Sequence, residues 1–297
     1  MAEPSRIGVR QPAVAGQFYP ADPDECRLLA RQYTSSAAAA GNGQRWIGGI
    51  VPHAGWVCSA AIAGKTLAAL GSDSTAELVV VFAAVHTPLP LESAALDSFQ
   101  QWDMPGDHWA VNQEIRRRLL SDAKPLVCVD DRFHQREHAV EVELPLIRSV
   151  YPAASVLPVE VPLVPHASQI GQAVARAVAG AGIRAVYLAS SDLTHYGPAY
   201  RFAPVGVGER AMAWAKDNDR RLIDEVLAMR VEAVVPVVAA HANACGGGAI
   251  AAMLAACRES GASRARLLQH ASSYETLAAV APQPPVSSVG YASIVVG

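Results

Sequence analysis

Apolar residues run along this chain in two rhythms. Short unbroken runs, Trp46–Val51 in "WIGGIV", "ELVVVFAAV" (77–85) and "RAVYLASS" (184–191), lack polar alternation and predict strands buried on both faces. "SVLPVEVPLV" (155–164) predicts another strand, and its prolines predict a place near a sheet edge. "RARLLQHASS" (264–273) and "SVGYASIVV" (288–296) predict closing strands.

Helical patterns fill the intervals. "PDECRLLARQYTSS" (23–36) predicts a helix with Asp22 as cap and Pro23 at its first position. Further helices are predicted over 59–70, 111–120 and 139–151, the last kinked at Pro145. "ASQIGQAVARAVAGAG" (167–182) is a helix closed by glycine, 208–229 holds one or two helices, and 246–260 is an alanine-rich buried helix. "SSAAAAGNGQ" (35–44) predicts a surface loop. Strands alternating with helices predict a three-layer α/β/α fold around a central, largely buried mixed sheet. With no internal repeat and no Gly/Pro/Ser-rich linker, residues 1–297 are expected to form a single domain.

Composition narrows the function classes. The chain is 51% hydrophobic and 17% charged, which suits a well-buried α/β protein and not a disordered one. A net charge of −3 without a basic stripe argues against nucleic acid as a partner. No apolar stretch has the length of a membrane span, and the N-terminal residues lack an apolar signal core, so the expected location is the cytoplasm. Five cysteines without paired spacing fit a reducing compartment. Cys26, Cys58, Cys128 and Cys257 fall in helical or apolar contexts and are expected to be small buried hydrophobes.

The candidate chemistry sits where strands run out. His53 follows "IGGIVP", His86 follows "VVVFAAV", and His195 follows "RAVYLASSDLT". Ligands of open α/β sheets bind outside the carboxyl ends of parallel strands, so these imidazoles are placed to converge. One histidine in such a position is more often structural, but three repeat the same topology. Cys245, in "HANACGGGAI", precedes a Gly-rich helix start, where backbone N–H groups favour thiolate. Imidazoles with a thiolate suit iron(II), copper or zinc. His108, His134, His166 and His270 lack this context and are read as surface or structural, and His241 is given no role.

Six ordered stretches carry a family resemblance: "RQPAVAGQFYP" (10–20), "VPHAGWVCSAAIAG" (51–64), "VHTP" (85–88), "REHAVEVELPLI" (136–147), "SSDLTHYG" (190–197) and "NACGGGAI" (243–250). With them the chain resembles the MEMO family, which includes system protein B of the AmmeMemoRadiSam set. The resemblance implies a fold like that of class III extradiol ring-cleaving dioxygenases. It implies His53, His86 and Cys245 as metal ligands, with His195 as a nearby acid/base. It also implies a functional link to radical-SAM and AMMECR1-like proteins. The chain departs from the family pattern at Ala83-Ala84-Val85, where Gly-Pro-Asn/Ser usually precedes the second ligand.

The leading expectation is therefore a non-haem iron(II) oxygenase or related oxidoreductase acting on a small molecule. His195 would carry the proton. Asp192 would orient a ligand imidazole, or else cap a turn. His138 and Glu141 would share a helical face beside the pocket, with Glu137 and Glu143 in the same segment. Two alternatives stand beside it: a non-catalytic copper- or iron-binding redox or adaptor protein, and a zinc-type hydrolase.

Overall fold

The computed structural model describes residues 8–35, 45–71, 75–278 and 280–297. In chain order come β1 (Val9–Arg10), α1 (Pro23–Ser35), β2 (Gly48–Val51), α2 (Trp56–Leu70) and β3 (Leu78–Ala83). Then follow β4 (Ala94–Leu96), β5 (Gln101–Met104), β6 (Asp107–Ala110), α3 (Gln113–Asp122) and β7 (Val127–Val129). The middle of the chain gives α4 (Leu144–Val150), β8 (Ser155–Glu160), α5 (Ala167–Ala181), β9 (Ala185–Ser190) and β10 (His195–Tyr196). The last part gives α6 (Glu209–Leu227), α7 (Val231–His241), α8 (Gly247–Glu259), β11 (Ala265–Ser272), α9 (Ser273–Leu277) and β12 (Ser288–Val296).

Strand β3 explains the architecture. Its six residues are all buried, and alternate side chains enter different cores. Leu78, Val80 and Phe82 pack with residues of α5, α7 and α8. Val79, Val81 and Ala83 pack with residues of α1, α2 and α4. The sheet is therefore a wall between two helical layers, and its unbroken apolar runs follow from burial on both faces. It has nine strands in the order β10-β12-β2-β9-β3-β8-β4-β7, with β11 paired to β12. Strands β2, β9, β3 and β8 are parallel, while β12 runs antiparallel to β2 and to β11. The fold is thus α/β with a large mixed sheet flanked by helices. A separate three-stranded sheet, β1-β5-β6, was not signalled by the apolar pattern.

Two local expectations change. Residues 139–151 do not form one kinked helix: a 3-10 turn at Glu141–Glu143 leads into α4, and Pro145 sits in the first turn of α4, where its missing N–H costs nothing. Strand β8 is internal to the sheet, yet its prolines are tolerated. It pairs fully with β3, but its other flank meets only Ala95 at Glu160 and Val111 at Val156, and Pro158 falls in the gap. Residues 209–227 form one helix, and α7 follows with Pro236 inside it. Of the expected loop at 35–44, residues 36–44 lie outside those described. Asp22 does cap α1, its Oδ1 accepting from the N–H groups of Asp24 and Glu25. Among the described residues no helix is long and apolar enough to cross a membrane.

Candidate metal centre

The centre forms because neighbouring parallel strands end at one level. Val51 of β2 and Ala83 of β3 both stand opposite Ser190 of β9. Just past those ends the chain delivers His53, His86 and Asp192. This is the carboxyl-end crevice expected of an open α/β sheet. His138 enters from the turn before Glu141, and Cys245 from the loop before α8.

Three imidazoles meet there. His53 and His86 have ring centroids 5.2 Å apart, His53 and His138 5.3 Å, and His86 and His138 4.5 Å. One ligand atom from each lies within 4.8 Å of the others. The imidazole cluster is thus His53, His86 and His138, where the resemblance points to His53, His86 and Cys245. Cys245 is not distant: its Sγ lies 3.4 Å from His53 Nε2.

Two of the rings are fastened through Nδ1. Ser190 Oγ donates to Ala139 O at 2.6 Å, so its lone pair accepts from His53 Nδ1–H at 2.8 Å. Glu137 accepts from His86 Nδ1–H at 2.8 Å and from the His86 backbone N–H at 2.7 Å. The same carboxylate accepts the His138 backbone N–H at 2.8 Å and lies 3.3 Å from His138 Nδ1. Nδ1 of His53 and of His86 is engaged, leaving Nε2 of those two rings as the ligating atom, which is how histidine is commonly prepared for a metal. Borderline imidazoles beside a soft sulfur fit iron(II), copper or zinc, and do not suit the all-oxygen preference of magnesium or calcium.

Charge completes the picture. Burial opposes charge on His53, but the Cys245 thiolate and Asp192 outweigh it and lift the imidazole to about 9. His86 is likewise lifted against its burial, to about 10, by Cys245 and Glu137. Burial would raise Cys245, yet His53 and His86 bring the thiol down to about 6. Its thiolate character thus comes from imidazolium partners. The helix start contributes less, because α8 begins two residues later, at Gly247. Glu137, despite burial, is held at about 2 by His86. Burial and the charges of His53 and His86 keep His138 neutral, at about 4.

The loop bearing Cys245 is locked against the end of β9. Cys245 N–H donates to Asp192 O at 3.2 Å, and Gly246 N–H donates to Ser191 Oγ at 2.9 Å. A Cβ at Gly246 would lie 2.7 Å from Ser191 Cβ, so only glycine lets the loop approach this closely.

A cavity of about 430 Å³ opens above the cluster. His195, Asp192 and Tyr200 line it together with His53, His86 and His138. Asp192 Oδ1 accepts the His53 backbone N–H at 2.9 Å, and its Oδ2 lies 3.7 Å from His195 Nε2. Burial works against charge on His195, but Asp192 and the Cys245 thiolate raise it above the ordinary imidazole value.

Several readings need correction. His138 and Glu141 share no helical face, because His138 precedes the 3-10 turn; Glu141 is buried against Arg10 and does not face the cavity. Glu143 is fully buried with no hydrogen-bond partner among the described residues, and burial pushes it up to about 8. Cys58 is half-buried and lines the cavity, and Cys128 is also half-buried, so neither is a fully buried hydrophobe. Phe18, Tyr200 and Tyr291 also line the cavity; sequence reasoning missed them, and aromatic residues outside the strand ends carry no signal of it. Ala83 and Ala84, which replace the usual Gly-Pro, are wholly buried in the sheet-end core, and Glu137 holds the backbone of the loop at His86.

Comparison with known proteins adds an independent line. A family profile described as "Memo-like protein" matches residues 10–295. A MEMO1 family protein of Methanosarcina acetivorans is 32% identical, covering 97% of this chain and 99% of that protein. One from Pyrococcus furiosus is 30% identical, covering 97% of this chain and 98% of that protein. Among solved structures, an uncharacterized protein of Escherichia coli K12 matches at 14% identity with a TM-score of 0.46, covering 75% of this chain and 87% of that one.

Proposed function

The chain belongs to the Memo-like protein family, and from that premise we propose that it is a metal-dependent oxidoreductase using non-haem iron(II) on a small organic molecule. The observation that carries this reading is the trio of imidazoles whose ligand atoms gather within 4.8 Å at the floor of an open cavity. His53, His86 and His138 would hold the ion, with Cys245 as a fourth donor beside them. When bound, iron(II) in such a set supplies open coordination positions and a one-electron couple for dioxygen chemistry.

The protein's own groups have separable tasks. Ser190 and Glu137 fix the rings of His53 and His86, so little reorganisation is needed on loading. Asp192 ties the His53 backbone to the His195 side of the cavity. His195 takes or gives a proton at Nε2, an atom with no hydrogen-bond partner among the described residues. Phe18, Tyr200 and Tyr291 supply aromatic walls that hold an organic substrate and limit water.

A second reading has its own observation. The Cys245 sulfur, 3.4 Å from His53 Nε2, is a soft donor that favours copper(I) or zinc over iron. Copper would make the protein a redox or sequestering factor, and zinc a hydrolase.

Anaerobic reconstitution with each metal, followed by competition and metal analysis, separates these readings. Iron-loaded protein should consume dioxygen with some member of a panel of phenols and thiols. One tightly held zinc insensitive to oxygen would end the iron reading. A thiolate-to-metal charge-transfer band present in wild type and absent in Cys245→Ser would identify sulfur as a ligand. The same band in both proteins would remove it from the donor set.

A further inference from the structure

The segment "RQPAVAGQFYP" (10–20) has no ligand in it, yet it is built into the floor of the site. Its anchor is Glu141. This fully buried carboxylate accepts the N–H of Val14 and the O–H of Tyr19 on Oε1, each at 2.9 Å. On Oε2 it accepts the N–H of Ala13 at 2.8 Å and the guanidinium of Arg10.

Arg10 then reaches beyond its partner. Its Nε donates to His134 O at 3.1 Å and its Nη2 to Glu137 O at 2.6 Å. The guanidinium lies 4.4 Å from the centroid of the Trp102 ring. One side chain thus grips both ends of the turn that carries Glu137 toward His86 and His138.

The same segment also returns to the cluster. Gly16, at φ 81°, turns the chain so that Phe18 N–H donates to Val14 O at 2.9 Å. Phe18 O accepts from Trp56 N–H at 2.8 Å, at the first residue of the helix after His53. The Phe18 ring then rests 4.8 Å from the His138 ring, at the cavity wall.

We propose that the segment Arg10–Tyr19 is a positioning element of the metal centre: Arg10, paired with Glu141, fixes the Glu137–His138 turn, and Phe18 closes over His138 to hold its ring in the cluster. Its consequence for metal affinity rests on the metal reading above; its consequence for the exposure of His138 does not. None of these residues is among the clustered donors, and Phe18 meets the cavity only as part of its wall. A buried guanidinium bonded to a carboxylate and two carbonyls has a geometry that lysine cannot reproduce.

The test uses carbethoxylation by diethyl pyrocarbonate, read residue by residue by peptide mass spectrometry, on metal-free full-length protein. Phe18→Ala and Arg10→Gln should raise the rate at His138 several-fold and leave His195, on the Asp192 side of the cavity, unchanged. Arg116→Gln breaks a different largely buried ion pair, with Asp97, and should change neither. In parallel, cobalt(II) affinity followed by visible absorption should fall about tenfold in Phe18→Ala and Arg10→Gln, with Arg10→Lys no better than partly restored. Should Arg10→Gln not fold, Phe18→Ala decides, since Phe18 is only half-buried. A His138 rate at the wild-type value in Phe18→Ala overturns the inference, as does an equal rise at His195 or the same effect from Arg116→Gln. If cobalt does not bind wild type at all, the metal reading fails, and the His138 rates still decide the positioning role.

Discussion

His86 and His195 line the same cavity and are held in opposite ways. His86 gives its backbone N–H and its Nδ1–H to one carboxylate, Glu137, at 2.7 and 2.8 Å. His195 has its Nε2 3.7 Å from Asp192 Oδ2, too long for a hydrogen bond. A ring that must present a lone pair to an ion gains from being immobilised, because misorientation costs affinity. A ring that must carry a proton gains from slack, because it has to exchange partners. The difference supports the two separate tasks proposed for these rings.

The sharpest way to break this comparison is to delete a held ring. His86→Ala should abolish stoichiometric iron(II) or zinc binding in calorimetric titration; retention of one tight ion would mean the cluster is not the site.

Next in size is pH. In the metal-free protein His53, at about 9, and His86, at about 10, both carry a proton at pH 7, while Cys245, at about 6, has lost its own. An incoming ion must expel the imidazole protons. Affinity should therefore rise with pH from 7 toward 10, by about tenfold per pH unit for each proton released. It should fall further below pH 6, where the thiolate is also protonated. Titrations in buffers of different ionisation enthalpy count the protons, and a count of zero at pH 7 would refute the assignment.

Glu137→Gln keeps the shape and removes the charge that fastens His86. It should weaken the metal by about 10–100-fold without emptying the site. Smallest of all is His195→Ala, for which metal affinity should stay within about twofold of wild type, as for a group outside the donor set. A loss as large as that of Glu137→Gln would place His195 among the holding residues and erase the distinction drawn here.

The sequence revealed the groups at strand ends, His53, His86, Asp192 and His195, better than those carried on the turn at Glu137 and His138. Apolar runs ending in histidine identify the strand ends, and parallel pairing does the rest, so His53 and His86 were legible from pattern alone. His138 is expected on one helical face with Glu141, at the head of a helix over 139–151. The backbone instead forms a turn whose shape depends on Arg10, more than a hundred positions away. Glu137, Glu141 and Glu160 resemble surface charges in one dimension and are buried in three. Burial of a carboxylate is decided by its partners, and partners distant in the chain leave no local trace. For the same reason β1, β5 and β6, only two to four residues each, gave no periodic signal.

The distance along the polymer between His53 and Cys245, 192 positions, has a consequence for how the protein comes to exist in the cell. The donors gathered here lie far apart along the chain, and the strand beside the one that delivers His53 is β12, more than 230 positions further on. Loading of the proposed site would therefore wait until β12 has been made and paired with β2. Every ion captured afterwards favours the mature form over the chain that a protease would find.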